Sequence, residues 1–179
     1  MKGIIFNLLE TIVVREHGEE TWDTLLDDTG LDGAYTSLGS YDDGELLALV
    51  GAASKRLGEP PDAVVRWYGR NALPLLAERY PQLFEPHTEA RSFVLTLNEI
   101  IHPEVRKLYP GAITPEFDFD SSDPERLVMT YRSPRKLCAL AEGLLEGSAD
   151  FYEQTVEIDQ PECMNRGDER CRLVIGFSH

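Results

Sequence analysis

At Pro115 the hydrophobic period of the chain changes, and with it the kind of element the chain can build. Upstream, apolar residues recur at three- and four-residue intervals, the period of a helix with one buried face. Ile5, Leu8, Leu9, Ile12 and Val13 mark a helix within residues 4–14, and Trp22, Leu25 and Leu26 a second over 19–27. Residues 28–43 are rich in Gly, Asp, Ser and Thr and read as a loop. Asp43 is expected to cap a helix that Gly58 and Pro60-Pro61 stop, and Asp62 to open another with a kink at Pro74. A turn at 84–87 precedes a helix leading to His102. Downstream of Pro115 apolar and polar residues alternate over 116–119, 126–132, 155–159 and 171–177, the period of strands. Between them 133–154 is helical, with Ser133 as its N-cap and Pro134 at its first position. The order predicts an α+β fold: a helical N-terminal half, then an antiparallel sheet interrupted by one helix. No repeat or linker divides the chain, so residues 1–179 read as a single domain.

The net charge of −15 excludes nucleic acid and anionic membrane surfaces as partners, since both require clustered Lys and Arg. No apolar run reaches the roughly 18 residues needed to span a bilayer. The N-terminal MKGIIFNLLE lacks the pattern of a signal peptide. Three cysteines, an odd number, fit a reducing cytoplasm and a metal or thiol role better than a disulfide framework.

Three groups of residues carry chemistry. His102 ends a helical-period stripe of Phe93, Leu97, Ile100 and Ile101, and Pro103 after it predicts a kink or helix boundary there. Such a histidine is either a satisfied core residue or a ligand aimed into a pocket. Tyr131-Arg132-Ser133-Pro134-Arg135 combines a hydroxyl, an expected helix N-terminus and a guanidinium, a set suited to a carboxylate or phosphate. Its plainer reading is a capped helix with a solvated arginine. Cys163 and Cys171 lie at the two ends of a hairpin loop, and Cys138 on the preceding helix. They could supply three ligands of a zinc site, remain buried thiols, or pair as a Cys163–Cys171 disulfide. His17, His87 and His179 have no companion ligands and read as surface residues.

A histidine followed by a tract ending in Tyr-Pro-Gly, then a proline, then Tyr-x-Ser-x-Arg before an amphipathic helix resembles the haem-nitric oxide/oxygen binding (H-NOX) family. That family includes the sensor domain of soluble guanylate cyclase and small stand-alone bacterial proteins. The resemblance extends from MKGIIFNLLE to the last strand. It implies a b-type haem held between the helical half and the sheet, with His102 as the proximal iron ligand. It also implies that Pro115 presses on the porphyrin and that Tyr131, Ser133 and Arg135 bind the propionates. Leu97 and Ile101 would contact the haem, and Ile5, Leu9, Leu73, Leu76, Leu140 and Leu144 would line its distal side. Leu140 stands where oxygen-binding members carry a hydrogen-bonding tyrosine, so the resemblance implies selectivity for nitric oxide over oxygen, with carbon monoxide admitted. Stand-alone bacterial members imply a separate histidine kinase or diguanylate cyclase as output. Some relatives hold zinc on three cysteines and a histidine, whereas Gln160 occupies the histidine's position here.

The function expected is therefore a non-enzymatic haem-based nitric oxide sensor. A thiol or zinc redox switch is the alternative. A peroxidase-type haem enzyme fits less well, because peroxide chemistry wants a distal acid-base group and the expected wall is aliphatic.

Overall fold

The computed structural model describes residues 1–178; His179, read from the sequence as a surface residue, lies outside them. Four helices come first: α1 (Gly3–His17), α2 (Glu19–Thr29), α3 (Asp43–Leu57) and α4 (Pro61–Arg79). Gly30 and Gly58 end α2 and α3 in the left-handed conformation, where a side chain would be strained. Asp42, not Asp43, caps α3, accepting the Gly44 N–H. The cap must lie outside the helix in extended conformation, and Asp43 is already its first residue. Likewise α4 opens at Pro61, since a proline at the first position forfeits no hydrogen bond, and it continues through Pro74 to Arg79. Phe6, Ile12, Trp22, Leu46 and Leu49 form the core of this half.

The run toward His102 is not one helix. A short α5 (Ala90–Val94) gives way to a wide turn over Leu97–Ile101, in which the Ile101 N–H reaches back five residues to Thr96. A regular helix, α6 (His102–Leu108), starts at the histidine. The expected boundary at Pro103 is present, but His102 itself adopts helical angles, φ −66° and ψ −37°. Pro103 has no N–H to return to the preceding turn, and the wide hydrogen-bond pattern ends where that donor is missing. The wide turn also rotates Ile100 out of the expected apolar stripe, leaving it 48% exposed while Ile101 is buried.

The sheet contains β1 (Glu116–Asp120), β2 (Arg126–Arg132), β3 (Thr155–Glu162) and β4 (Cys171–Ser178) in the order β1-β2-β4-β3, every pair antiparallel. Leu127, Met129, Tyr131, Leu173 and Ile175 alternate onto its buried face. The intervening helix, α7 (Cys138–Phe151), starts four residues later than the Ser133 cap predicts. Lys136 has φ +52°, which turns the chain before the helix can begin. Ser133 caps that turn instead, its hydroxyl accepting the Arg135 N–H and its carbonyl the Lys136 N–H.

The two halves meet where α4 and α7 pack along their lengths. Gly69, Gly143 and Gly147 face the opposite helix's backbone; a Cβ on Gly143 would lie 2.0 Å from the Arg66 carbonyl oxygen. No rotamer relieves a clash with backbone, so Gly143→Ala is expected to force the helices apart and destabilise the fold by about 2 kcal/mol or more. Gly51, in α3, faces nothing within 4 Å, and Gly51→Ala is expected to stabilise by about 0.5–1 kcal/mol. Urea unfolding of the two variants checks the contrast.

Candidate functional site

His102 is held by what surrounds the wide turn. Asn98 donates its side-chain amide to the Phe117 carbonyl at 2.7 Å, fastening the turn to β1. The imidazole stacks on Phe117, with ring centroids 5.4 Å apart, and Phe117 lies 5.8 Å from Tyr131. Burial first, and then the nearby Arg106 charge, lower the His102 pKa to about 4, so the ring is neutral at pH 7 and a ring nitrogen can act as a ligand. Pro115 is half-buried one residue before β1. At the far end of α6, the hydroxyl of Tyr109 is hydrogen-bonded to that of Tyr80, the residue that follows α4. Burial and this partner push the Tyr109 phenol up to about 12.

The Tyr-x-Ser-x-Arg segment builds a corner rather than a helix end. Tyr131 is buried and its hydroxyl accepts the Leu137 N–H at 3.0 Å. Arg135 points away from the turn, donating Nε to Asp43 at 2.6 Å and Nη1 to the Ile113 carbonyl at 2.8 Å. Its Nη2 makes no further hydrogen bond among the described residues. Asp43 also accepts the N-terminal amine. Burial works against its charge, yet the hydrogen bonds from Arg135 and that amine hold its carboxyl below the usual carboxylate range. A cleft of about 280 Å³ opens beside this pair, lined by Met1, Leu46, Leu47, Ile113, Pro134 and Leu137 among others.

Between His102 and this corner runs the seam of two apolar clusters. Leu73, Ile101, Tyr131 and Phe117 belong to the sheet-side cluster, with Leu97 and Leu144 packed on it. Leu9 belongs to the helical cluster, with Ile5 and Leu140 packed on it. Leu76 and Val105 touch both. The structure thus gathers the expected wall residues on two facing surfaces; Ile5, Leu76, Leu97, Leu140 and Leu144 remain half-buried there. A phenol of the helical cluster, Tyr68, donates its hydroxyl to the Ile5 carbonyl at 2.8 Å and is thereby committed to backbone. The seam suits a flat apolar group carrying carboxylates at one edge: aliphatic faces, one imidazole, and a cation at its rim.

The cysteines are free and buried, not disulfide-bonded. Their three sulfurs lie within 4.8 Å of one another, and Cys138 and Cys163 are 3.6 Å apart. Burial pushes the Cys138 thiol up to about 12 and raises Cys171 as well. His17 is exposed beside Trp67, at 5.6 Å between centroids. His87, expected at the surface, is half-buried between Ser92 and Phe93. Three residues the sequence did not mark complete the site: Phe117, Asp43 and Tyr80. Alternation in Glu-Phe-Asp-Phe puts Phe117 on the inward face of β1, a usable signal. Nothing local marks Asp43, whose partner lies 92 residues away.

The fold is shared with solved H-NOX proteins. An H-NOX protein from S. oneidensis, solved in the Fe(II)NO ligation state, is 35% identical, covers 100% of both chains and superposes with a TM-score of 0.94. An H-NOX from Shewanella woodyi in the Fe(II)CO state with IWP-051 bound is 32% identical over 98% of this chain and 94% of its own, with a TM-score of 0.84. An unliganded Fe(II) H-NOX protein from K. algicida is 26% identical over 100% and 97%, with a TM-score of 0.89. Residues 2–160 match the family model described as Haem-NO-binding. The chain belongs to this haem-NO-binding, or H-NOX, family.

The neutral state of His102 has a pH signature. Its pKa falls from an unfolded 6.5 to about 4 on folding, so between these values the unfolded chain binds a proton that the folded chain refuses. That contribution to stability is complete above about pH 6.5, declines as pH falls, and levels off below about pH 4. Urea unfolding at pH 7, 5.5 and 4.5 on iron-free protein is expected to show a loss of up to about 3 kcal/mol that His102→Gln lacks.

Proposed function

We propose that this protein is a haem-based nitric oxide sensor, a single cytoplasmic domain over residues 1–179 that signals to a separate protein. The observation that carries the reading is a neutral imidazole, His102, at an aliphatic seam without a free hydrogen-bond donor on the facing wall. Family membership supports it.

In this reading His102 ligates the iron of a b-type haem. Tyr131, Ser133 and Arg135 hold the propionates, Arg135 through the guanidinium nitrogen that Asp43 and Ile113 leave over. Leu97 and Ile101 back the proximal face; Ile5, Leu9, Leu73, Leu76, Leu140 and Leu144 exclude water from the distal face. Pro115 bears on the porphyrin from the start of β1. Haem bound there would supply a ferrous iron able to take a diatomic gas. Leu140 offers no hydrogen bond to a polarised bound oxygen, so the pocket favours NO, with CO also admitted. The aliphatic wall lacks an acid-base residue for peroxide chemistry, which favours a sensor over an enzyme.

Output depends on His102 as the mechanical link. Were the hold of a bound haem on His102 to loosen, the wide turn would be free to move against β1. Tyr109, through Tyr80, passes that movement to α4 and so to the helical half. A ligand switches such a pair of states only by interacting differently with each, which NO does and CO does weakly. The partner fits a histidine kinase or a diguanylate cyclase, as the family's stand-alone members imply. A zinc ion on Cys138, Cys163 and Cys171 would be a clip between the start of α7 and the β3–β4 turn, apart from gas sensing.

The absorption spectrum of the ferrous protein tests the reading. One haem per chain, a nitrosyl form lacking the His102 bond and no lasting oxygen complex are expected. His102→Ala is expected to lose haem unless imidazole is added; a wild-type spectrum in that variant removes the assignment. Leu140→Tyr is expected to prolong the life of the oxygen complex, measured by the decay of its spectrum in air.

A further inference from the structure

We propose that Gln160 supplies, through its carboxamide oxygen, the fourth ligand of a zinc-class site on Cys138, Cys163 and Cys171. The inference rests on the zinc reading of the three cysteines and adds the group that completes the site.

Gln160 is a polar side chain in line with an apolar row. Along β3, Val156 and Ile158 turn inward and pack on the sheet-side core, the cluster that contains all three cysteines. Two residues further on the same face comes Gln160, partly buried in line with them. Its side-chain nitrogen is buried without a hydrogen-bond partner among the described residues. The Gln160 side chain is close enough to the Cys138 thiol to favour its ionised form, against the burial that raises it. An orphaned amide in an apolar face is costly and calls for a use.

The local backbone aims it. Pairing of β3 with β4 slips between Asp159 and Glu162, an irregularity at Gln160-Pro161 just before the turn that carries Cys163. The Arg166 guanidinium donates to the Gln160 carbonyl, tying the bulge to the turn after Cys163. A half-turn of the carboxamide about its last torsion brings oxygen to the buried position, since its two ends have nearly the same shape.

The surroundings fit metal-bound thiolates. With three sulfurs within 4.8 Å of one another, one cation can reach all of them. The Met164 N–H points at the Cys171 sulfur at 3.2 Å, and the Asn165 amide at the Cys138 sulfur at 3.6 Å. Such donors stabilise sulfur that carries negative charge. Three sulfurs and one oxygen arranged about a point suit a tetrahedral, borderline-soft d¹⁰ ion such as Zn²⁺. A softer ion such as Cu(I) would be satisfied by the sulfurs and gain little from an amide oxygen. A neutral carboxamide is a weaker donor than an imidazole, so the ion is held less tightly here than by three cysteines and a histidine.

The test uses reduced, haem-loaded protein and zinc competition against a chromophoric chelator. Wild type is expected to bind one Zn²⁺ per chain and Cys171→Ser none. Gln160→Leu is expected to weaken binding about tenfold or more, and Gln160→His to tighten it by a similar factor. Unchanged haem content in both Gln160 variants verifies the fold. Cadmium-113 NMR of the ferrous-CO form is expected to show a different resonance in each of wild type, Gln160→Leu and Gln160→His. Zinc bound with equal affinity, and the same cadmium resonance, in wild type and Gln160→Leu overturns the assignment of Gln160 and leaves the three-cysteine site standing. Failure of wild type to bind zinc overturns both.

Discussion

The structure depends on the approach of α4 and α7 to backbone contact. Gly69 on one helix and Gly143 and Gly147 on the other leave room only for main chain between them. At that separation Leu73 and Ala77 of α4 reach the sheet-side cluster directly. Ion pairs from Arg66 to Glu142 and Glu146, and from Arg70 to Asp150, run along the edges of the contact. They are partly exposed and contribute little each; the close fit carries the energy. Because α7 also lies on β3, the helix pair is what joins a helical core to a sheet core.

That joint leaves a seam instead of one continuous core, and the site follows from the seam. Its two surfaces come from different cores, so a flat apolar group between them would touch both at once. His102 enters from an irregular turn anchored to β1 by Asn98, while Tyr109, at the other end of the same short helix, is bonded to Tyr80. One rigid element therefore touches the sheet at one end and the helical half at the other. At the rim Arg135 joins the 133–136 corner to Asp43 at the start of α3, a second bridge between the halves. Both bridges are polar contacts at the edge of apolar packing, where rearrangement is less costly than in a close-packed interior.

Much of this was legible along the chain because it depends on local period. The change at Pro115 separates helices from strands, and the four strands fall where alternation puts them. The glycine stop at 58 follows from the left-handed backbone that ends a helix. The local rules misled where two of them competed. Ser133-Pro134 has the composition of a helix start, but the turn at Lys136 intervenes and postpones the helix to Cys138. Asp42 and Asp43 are chemically equivalent caps, and only the backbone path decides between them. The periodic run before His102 reads as an ordinary helix, yet docking onto β1 widens its last turn.

By itself the sequence determined the order of helices and strands, the isolated histidine at the end of an apolar stripe and the three thiols, since each is written in residue type and near-neighbour spacing; a ligand role for that histidine and a wall of named aliphatic residues came only from resemblance to a family. Tertiary structure alone decided that His102 is buried enough to stay neutral and that Arg135 is shared with Asp43. It also decided that the sulfurs of Cys138, Cys163 and Cys171 gather within 4.8 Å of one another. Those outcomes arise from contacts between residues tens of positions apart, whose distances depend on how closely α4 can approach α7, and that closeness is a property of two backbones meeting rather than of either segment alone.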